Sequence, residues 1–322
     1  MRPNCFSLFS PRSSHFNDDL GRGSYPLLLT IVRAGAYKGL TQCQRLFRNE
    51  IWNCSVDNMK VYHGQLPIFV KRTSPYANRE TAFLHAISSA AITYEITHQC
   101  ARKKIPGCGC GKTGKLPQDQ SNWRWGGCSD NIKFGKKAAK QFIDKLEDGN
   151  DARAAFNLHN NEVGRNAVQA SLKRRCKCHG VSGSCNLKTC WKQLSTFEAI
   201  GAALKQKYNT AESVIFLNGE LQKQRRKRYT SITSKDKKLV YLNASPDYCT
   251  RNETAGSPGM LGRACSSDSV SPEKCRSLCN ACNLRYQTVH RFKRIKCKCK
   301  FVWCCAVKCE LCTVKYSLTT CL

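Results

Sequence analysis

The sequence predicts an α+β, disulfide-rich chain of two domains, a helical amino-terminal one and a cysteine-dense carboxy-terminal one. Three observations carry that prediction. Helical periodicity is confined to the stretch before about residue 210. The chain has 322 residues, about twice the usual domain, and holds 23 cysteines, far above ordinary usage. Several of those cysteines are nested about common centres, as the rungs of hairpins are.

Taken in order, residues 1–24 form an atypical segment with Asp18 and Asp19 and no apolar core, which does not read as a secretory leader. The short apolar run Leu27 to Val32, followed by Ala34-Gly35-Ala36, reads instead as a helix leading into Cys43, so the true leader is expected to be missing. Glu80 to Thr97 places Phe83, Ala86, Ile87, Ala90, Ala91 and Tyr94 at helical spacing, without Gly or Pro. Cys100 to Cys128, rich in Gly with Pro106, Trp123 and Trp125, reads as a loop closed by Cys100–Cys108 and Cys110–Cys128. Ile132 to Leu146 carries Phe134, Ala138, Phe142 and Leu146 on one face, and Asp151 caps a further helix from about Ala152 to Lys173. In that helix Asn157, His159, Asn160 and Asn161 are expected to make buried hydrogen bonds rather than to act as ligands. The amino-terminal domain is placed at 25–215, with a hairpin at 176–190 and an amphipathic stretch from Leu194 to Tyr208. A basic linker follows at 216–245, whose Lys223 to Arg228 (KQRRKR) suits glycan binding or protease cleavage. The carboxy-terminal domain, 246–322, loses helical periodicity and ends in a hairpin at 297–312.

Composition excludes several classes. No stretch approaches the ~18 apolar residues that a membrane-spanning helix needs. The cysteine content points to an oxidising compartment. The zinc alternative would use Cys176/Cys178, Cys279/Cys282 and Cys309/Cys312, but these sit in a nearly continuous cysteine run with vicinal Cys304 and Cys305, so no metal and no cofactor is expected. Lys and Arg number 53 against 22 Asp and Glu, a net charge of +31, which calls for polyanionic partners. Outside the cell these are sulfated glycans and anionic surfaces, not nucleic acid.

The nested cysteines define two hairpins. Cys297 with Cys312, Cys299 with Cys309, and Cys304 with Cys305 fit three rungs of one long hairpin, given one bulge where Cys309 and Cys312 are spaced by three. Its tip holds Phe301, Val302 and Trp303, apolar and far from a core, which suggests a partner's pocket. In CKCHGVSGSCNLKTC, Cys176–Cys190 encloses Cys178–Cys185. The inner ring holds His179, Gly180, Val181, Ser182, Gly183 and Ser184, and positive φ at both glycines would hold the Ser182 hydroxyl outward for an enzyme to modify. A Ser182–His179 hydrolase would need an orienting carboxylate and an oxyanion hole, and the loop has no acid. A plain structural turn explains the glycines but not the double staple.

CHGVSGSC from Cys178 to Cys185 resembles the signature of the Wnt family. CQRLFRNEIWNCS from Cys43, WGGCSDN from Trp125, DARAAFNLHNNEVGR from Asp151 and KCKCKFVWCCAVKCELC from Lys296 resemble it as well, and SPDYC before Asn252 inclines the match toward the Wnt-8-like subgroup. The resemblance covers about 25–322. It implies a two-domain hand with a thumb hairpin and a finger hairpin, and an O-palmitoleoyl ester on Ser182 made by the acyltransferase Porcupine. It also implies transport by the carrier Wntless and binding to the Frizzled cysteine-rich domain through the lipid and the tip Phe301, Val302, Trp303, Cys304 and Cys305. Lipoprotein-receptor-related co-receptors, removal of the lipid by Notum, and heparan sulfate complete the implied partners. The chain would then be a secreted developmental signal, not an enzyme, associated with membranes through its lipid. Family pairing adds Cys43–Cys54, Cys249–Cys282, Cys265–Cys275 and Cys279–Cys321 to the hairpin and loop bonds, leaving Cys5 over. Sequons occur at Asn53, Asn243 and Asn252, of which Asn252 and Asn243 are the expected glycan sites. A heparin-binding matrix protein without lipid is the alternative from another class.

Overall fold

The computed structural model describes residues 25–55, 76–112, 123–147, 149–226, 228–233, 236–266, 272–303 and 306–322. Residues 1–24 with Cys5, and Cys304 and Cys305, lie outside the described residues, as does the side chain of Cys265. The chain divides into two compact units, one of residues 1–46 and 58–245 and one of residues 47–57 and 246–322.

The first unit is built around one helix. Among the described residues five helices belong to it: α1 (Tyr25–Phe47, whose last residue falls in the second unit), α2 (Arg79–Ala101), α3 (Ile132–Ile143, continued by a 3-10 turn Asp144–Leu146), α4 (Ala152–Ala170) and α5 (Phe197–Asn209). Helix α2 is buried on nearly every side, which is the environment an all-round apolar helix requires. Three of its buried hydroxyls bond within the helix: Ser88, Thr93 and Thr97 donate to the carbonyls of Leu84, Ser89 and Thr93 at 2.5, 2.7 and 2.7 Å. Asn78 caps its amino end, accepting from Thr81 N at 2.9 Å. Close approach to α2 is set by small residues. A Cβ at Gly164 in α4 would lie 2.1 Å from the Ala86 carbonyl oxygen, and one at Gly135 in α3 would lie 2.0 Å from Thr97 Oγ1.

Helix α4 ends at Ala170, short of the expected Lys173, because the chain turns at Ser171 into a strand. Its Asn residues are hydrogen-bonded in the interior, whereas His159 is partly buried and bonds at the surface, contrary to expectation. Asn160 donates to Val240 O and accepts from Val240 N, each at 3.2 Å, Asn157 donates to Glu147 at 2.8 Å, and His159 meets Lys238 O at 3.0 Å. Buried Arg165 pairs with both oxygens of Asp144 at 2.9 Å and with Glu162 at 2.8 Å. His85, buried against Asn161 (3.2 Å), is held neutral, its pKa lowered to about 3 by burial and by Arg153.

Among the described residues, three small sheets complete this unit. β1 (Trp123–Trp125) pairs parallel with β3 (Lys188–Leu194), which pairs antiparallel with β2 (Leu172–Cys178). The stretch 216–245, expected as an exposed linker, is a correction. It folds into β5 (Ile215–Leu217), β6 (Glu220–Arg225) and β7 (Arg228–Ser231), and β4 (Glu212–Ser213) pairs with β8 (Val240–Tyr241). Val214, Leu221 and Val240 form its core, and Lys223 reaches Asp236 at 3.1 Å and Glu212 at 3.3 Å. These strands are held by contacts made across the fold, which local charge does not reveal.

The second unit has a small core of Met260, Cys279 and Cys321, with Ile51, Leu278 and Leu284 packed on it. It contains β9 (Ala264–Ser266), one helix missed by periodicity, α6 (Pro272–Ala281), and the ribbon of β10 (Tyr286–Val302) and β11 (Ala306–Cys321). This ribbon is far longer than the expected 297–312, since pairing runs from Tyr286↔Cys321 to Val302↔Ala306. One bulge is present, but its extra residue sits in the first strand, between Cys297 and Lys300, and not between Cys309 and Cys312. Cys297 faces Glu310, so its bond to Cys312 runs diagonally.

Candidate functional site: the stapled serine tip and the ribbon end

The β2/β3 hairpin places Cys176 opposite Cys190, and the two are bonded across a Cα separation of 4.0 Å. Cys178–Cys185 closes the inner ring at 4.6 Å. Inside it the backbone forms a single 3-10 turn, Val181–Gly183, tied by Gly183 N to Gly180 O (3.0 Å), Ser184 N to Val181 O (3.1 Å) and Gly180 N to Ser184 O (2.8 Å). The glycines do not act as expected. Gly180 has φ −71, and its role is close approach, since a Cβ there would stand 1.9 Å from Ser184 Oγ. Only Gly183 has positive φ, at 79.

Ser182 itself takes the left-handed conformation, φ 55 and ψ 26, a strained state for a residue with a side chain. Such strain persists only where the surroundings impose it, here two disulfides and three turn hydrogen bonds. Ser182 and its neighbours His179, Val181 and Gly183 are exposed, Val181 to 90%. Among the described residues the Ser182 hydroxyl has no partner, and residues 172–194 contain no carboxylate. The tip therefore offers an exposed, unencumbered hydroxyl on a rigid, shape-specific loop.

At the ribbon end, Phe301 is 70% and Trp303 90% exposed, with Val302 beside them. Among the described residues, Cys100–Cys108, Cys110–Cys128, Cys249–Cys282, Cys279–Cys321, Cys297–Cys312 and Cys299–Cys309 are bonded in addition to the two thumb bonds. Cys43, Cys54 and Cys275 are disulfide-bonded too. Of the two glycan candidates, Asn252 accepts from Thr254 Oγ1 of its own sequon at 2.7 Å. Asn243 is committed elsewhere, accepting from Ala77 N at 2.9 Å, while Ser245 of its sequon donates to Glu80 at 2.7 Å.

A helical region followed by a cysteine-rich, disulfide-bonded region, with a doubly stapled serine tip, defines a Wnt-like fold. The wnt family model matches residues 22–322, and the chain belongs to the Wnt family, close to its Wnt-8 subgroup. Similar relatives include Protein Wnt-8b of Danio rerio, 43% identical over 91% of this chain and 82% of that protein, and Protein Wnt-8a of Homo sapiens, 38% identical over 96% and 90%. Among solved structures, one of human WLS in complex with WNT8A matches with a TM-score of 0.69 and 39% identity, covering 95% of this chain and 99% of the other. The chain is accordingly a secreted signalling ligand of the Wnt type.

Proposed function

We propose that this ligand is active as an O-palmitoleoyl ester at Ser182 and that the lipid, with the ribbon tip, engages a Frizzled cysteine-rich domain. The observation that carries the proposal is the exposed Ser182 hydroxyl held in a left-handed turn by Cys176–Cys190 and Cys178–Cys185. A membrane-bound acyltransferase of the Porcupine type would transfer the chain from an acyl thioester, the serine oxygen bonding to the acyl carbon as the carbon–sulfur bond breaks and the hydroxyl proton passing to the departing thiolate. Phe301, Val302, Trp303, Cys304 and Cys305 supply the second contact. The similar chain held by WLS supports a Wntless-type carrier for this one. Lipoprotein-receptor-related co-receptors, deacylation by Notum, retention on heparan sulfate, and a glycan at Asn252 in preference to Asn243 belong to the same reading.

Burying the chain contributes about 0.8 kcal/mol per methylene, yet one chain alone gives only marginal membrane attachment. The ligand thus gains from a receptor groove that takes the lipid out of water. Intact mass of protein from animal cells is expected to carry the acyl increment, lost on ester cleavage and absent from Ser182→Ala, which is also expected to lose secretion and signalling. Full signalling by Ser182→Ala overturns the proposal.

A further inference from the structure

The ribbon β10/β11 has two faces, and its bulge decides what each one carries. Side chains alternate along a strand, so Phe292, Arg294 and Lys296 share a face with their partners Lys315, Thr313 and Leu311. Val307 lies on that same face of β11, and Phe301 is its partner. In an unbroken strand Phe301 and Phe292 would point to opposite sides. The extra residue between Cys297 and Lys300, where Lys298 has φ 45, inverts the alternation and brings Phe301 onto the face of Phe292.

The outcome is a strip of Phe301, Val307, Leu311 and Phe292, exposed to 70, 64, 68 and 68%. It spans about 30 Å of strand at ~3.3 Å per residue. Exposed Arg294 and Lys296 lie within it and Lys315 beside Phe292, and none of the three forms an ion pair among the described residues. A disulfide crosses each face, Cys299–Cys309 on the strip's side and Cys297–Cys312 on the other; the other face holds Glu310, the Lys293–Tyr316 contact at 5.5 Å, and the less exposed Ile295 at 38%.

We propose that the whole strip, and not the tip alone, docks on the receptor, against a surface with an apolar seat and an acidic border. This rests on the receptor reading above and extends it down the shaft. An apolar run without a core behind it is a docking feature, and it is continuous with the exposed Trp303 end. Uncompensated cations within it select a partner of negative potential. A sulfated glycan would be served by the cations alone and leaves the four apolar side chains unexplained.

The test uses the acylated full chain and a Frizzled cysteine-rich domain as probe, with free-thiol titration to verify oxidation. Phe292→Ser and Leu311→Ser are each expected to weaken binding about tenfold, while Ile295→Ser on the opposite face stays within about twofold. Lys296→Glu is expected to slow association, and it carries the test if the apolar variants are not secreted. Unchanged affinity in the strip variants alongside a weakened Trp303→Ala confines the contact to the tip and overturns the strip while leaving the receptor reading intact. Unchanged affinity in Trp303→Ala as well removes the finger contact altogether. Equal losses at Ile295 and Phe292 also overturn the strip.

Discussion

The two units of this chain solve stability by different means. The first packs helices: Leu28, Ile31, Val32, Ile92, Ile96, Ala138, Ala139 and Phe142 form one cluster, and α2 is enclosed by its neighbours. The second has a core of a few side chains and a long ribbon whose side chains are mostly exposed on both faces, so cross-links replace burial. The lesson is that burial fixes a scaffold in the first unit, while covalent bonds in the second leave apolar groups free for recognition.

The sharpest way to break the comparison is to cut bonds in each unit. Cys279–Cys321 closes a separation of 42 residues and Cys100–Cys108 one of 8. Loop entropy alone puts the first at about 4 kcal/mol and the second at about 2.5 kcal/mol. Cys279→Ser with Cys321→Ser is therefore expected to unfold the second unit and block secretion, and hydrogen exchange should show Cys100→Ser with Cys108→Ser retaining protection in α2. Next in size, Gly164→Ala should cost the first unit about 1–3 kcal/mol, read as a lower denaturation midpoint, since its methyl would strike the Ala86 carbonyl.

An effect of similar size to that of Gly164→Ala is expected on acidification. His85 is neutral in the fold with a pKa near 3, below its unfolded value, so the unfolded chain binds the extra proton between those two values. The stabilisation is complete above about pH 6.5 and is lost as pH falls toward 3, with a slope of up to about 1.4 kcal/mol per pH unit. Denaturation of the first unit should show this slope between pH 6 and 4, and His85→Gln should flatten it.

Much of this was legible in the sequence, where periodicity or cysteine spacing carries the signal. The α2, α3 and α4 helices follow from apolar spacing, and the thumb register Cys176↔Cys190 follows from nesting. What was not legible depends on remote partners. Leu221 and Lys223 look like linker residues until the stretch folds back on itself to bring Val240, Glu212 and Asp236 beside them, and Asn160 of α4 anchors it through Val240. β1 is three residues long and exists because β3 pairs with it, and α6 carries few apolar residues of its own. Gly180 could be recognised as necessary, but whether for dihedral freedom or for room beside Ser184 is a matter of coordinates. The same holds for the bulge, which cysteine spacing requires without saying which strand absorbs it.

The left-handed serine carries one more implication. Its turn is closed by the Cys178–Cys185 bond, so a reduced or mispaired chain would present the same eight residues without that shape. Under the acylation proposed above, a transferase that selects the shape would inspect oxidation before it acts, and the fatty ester would certify correct maturation before export.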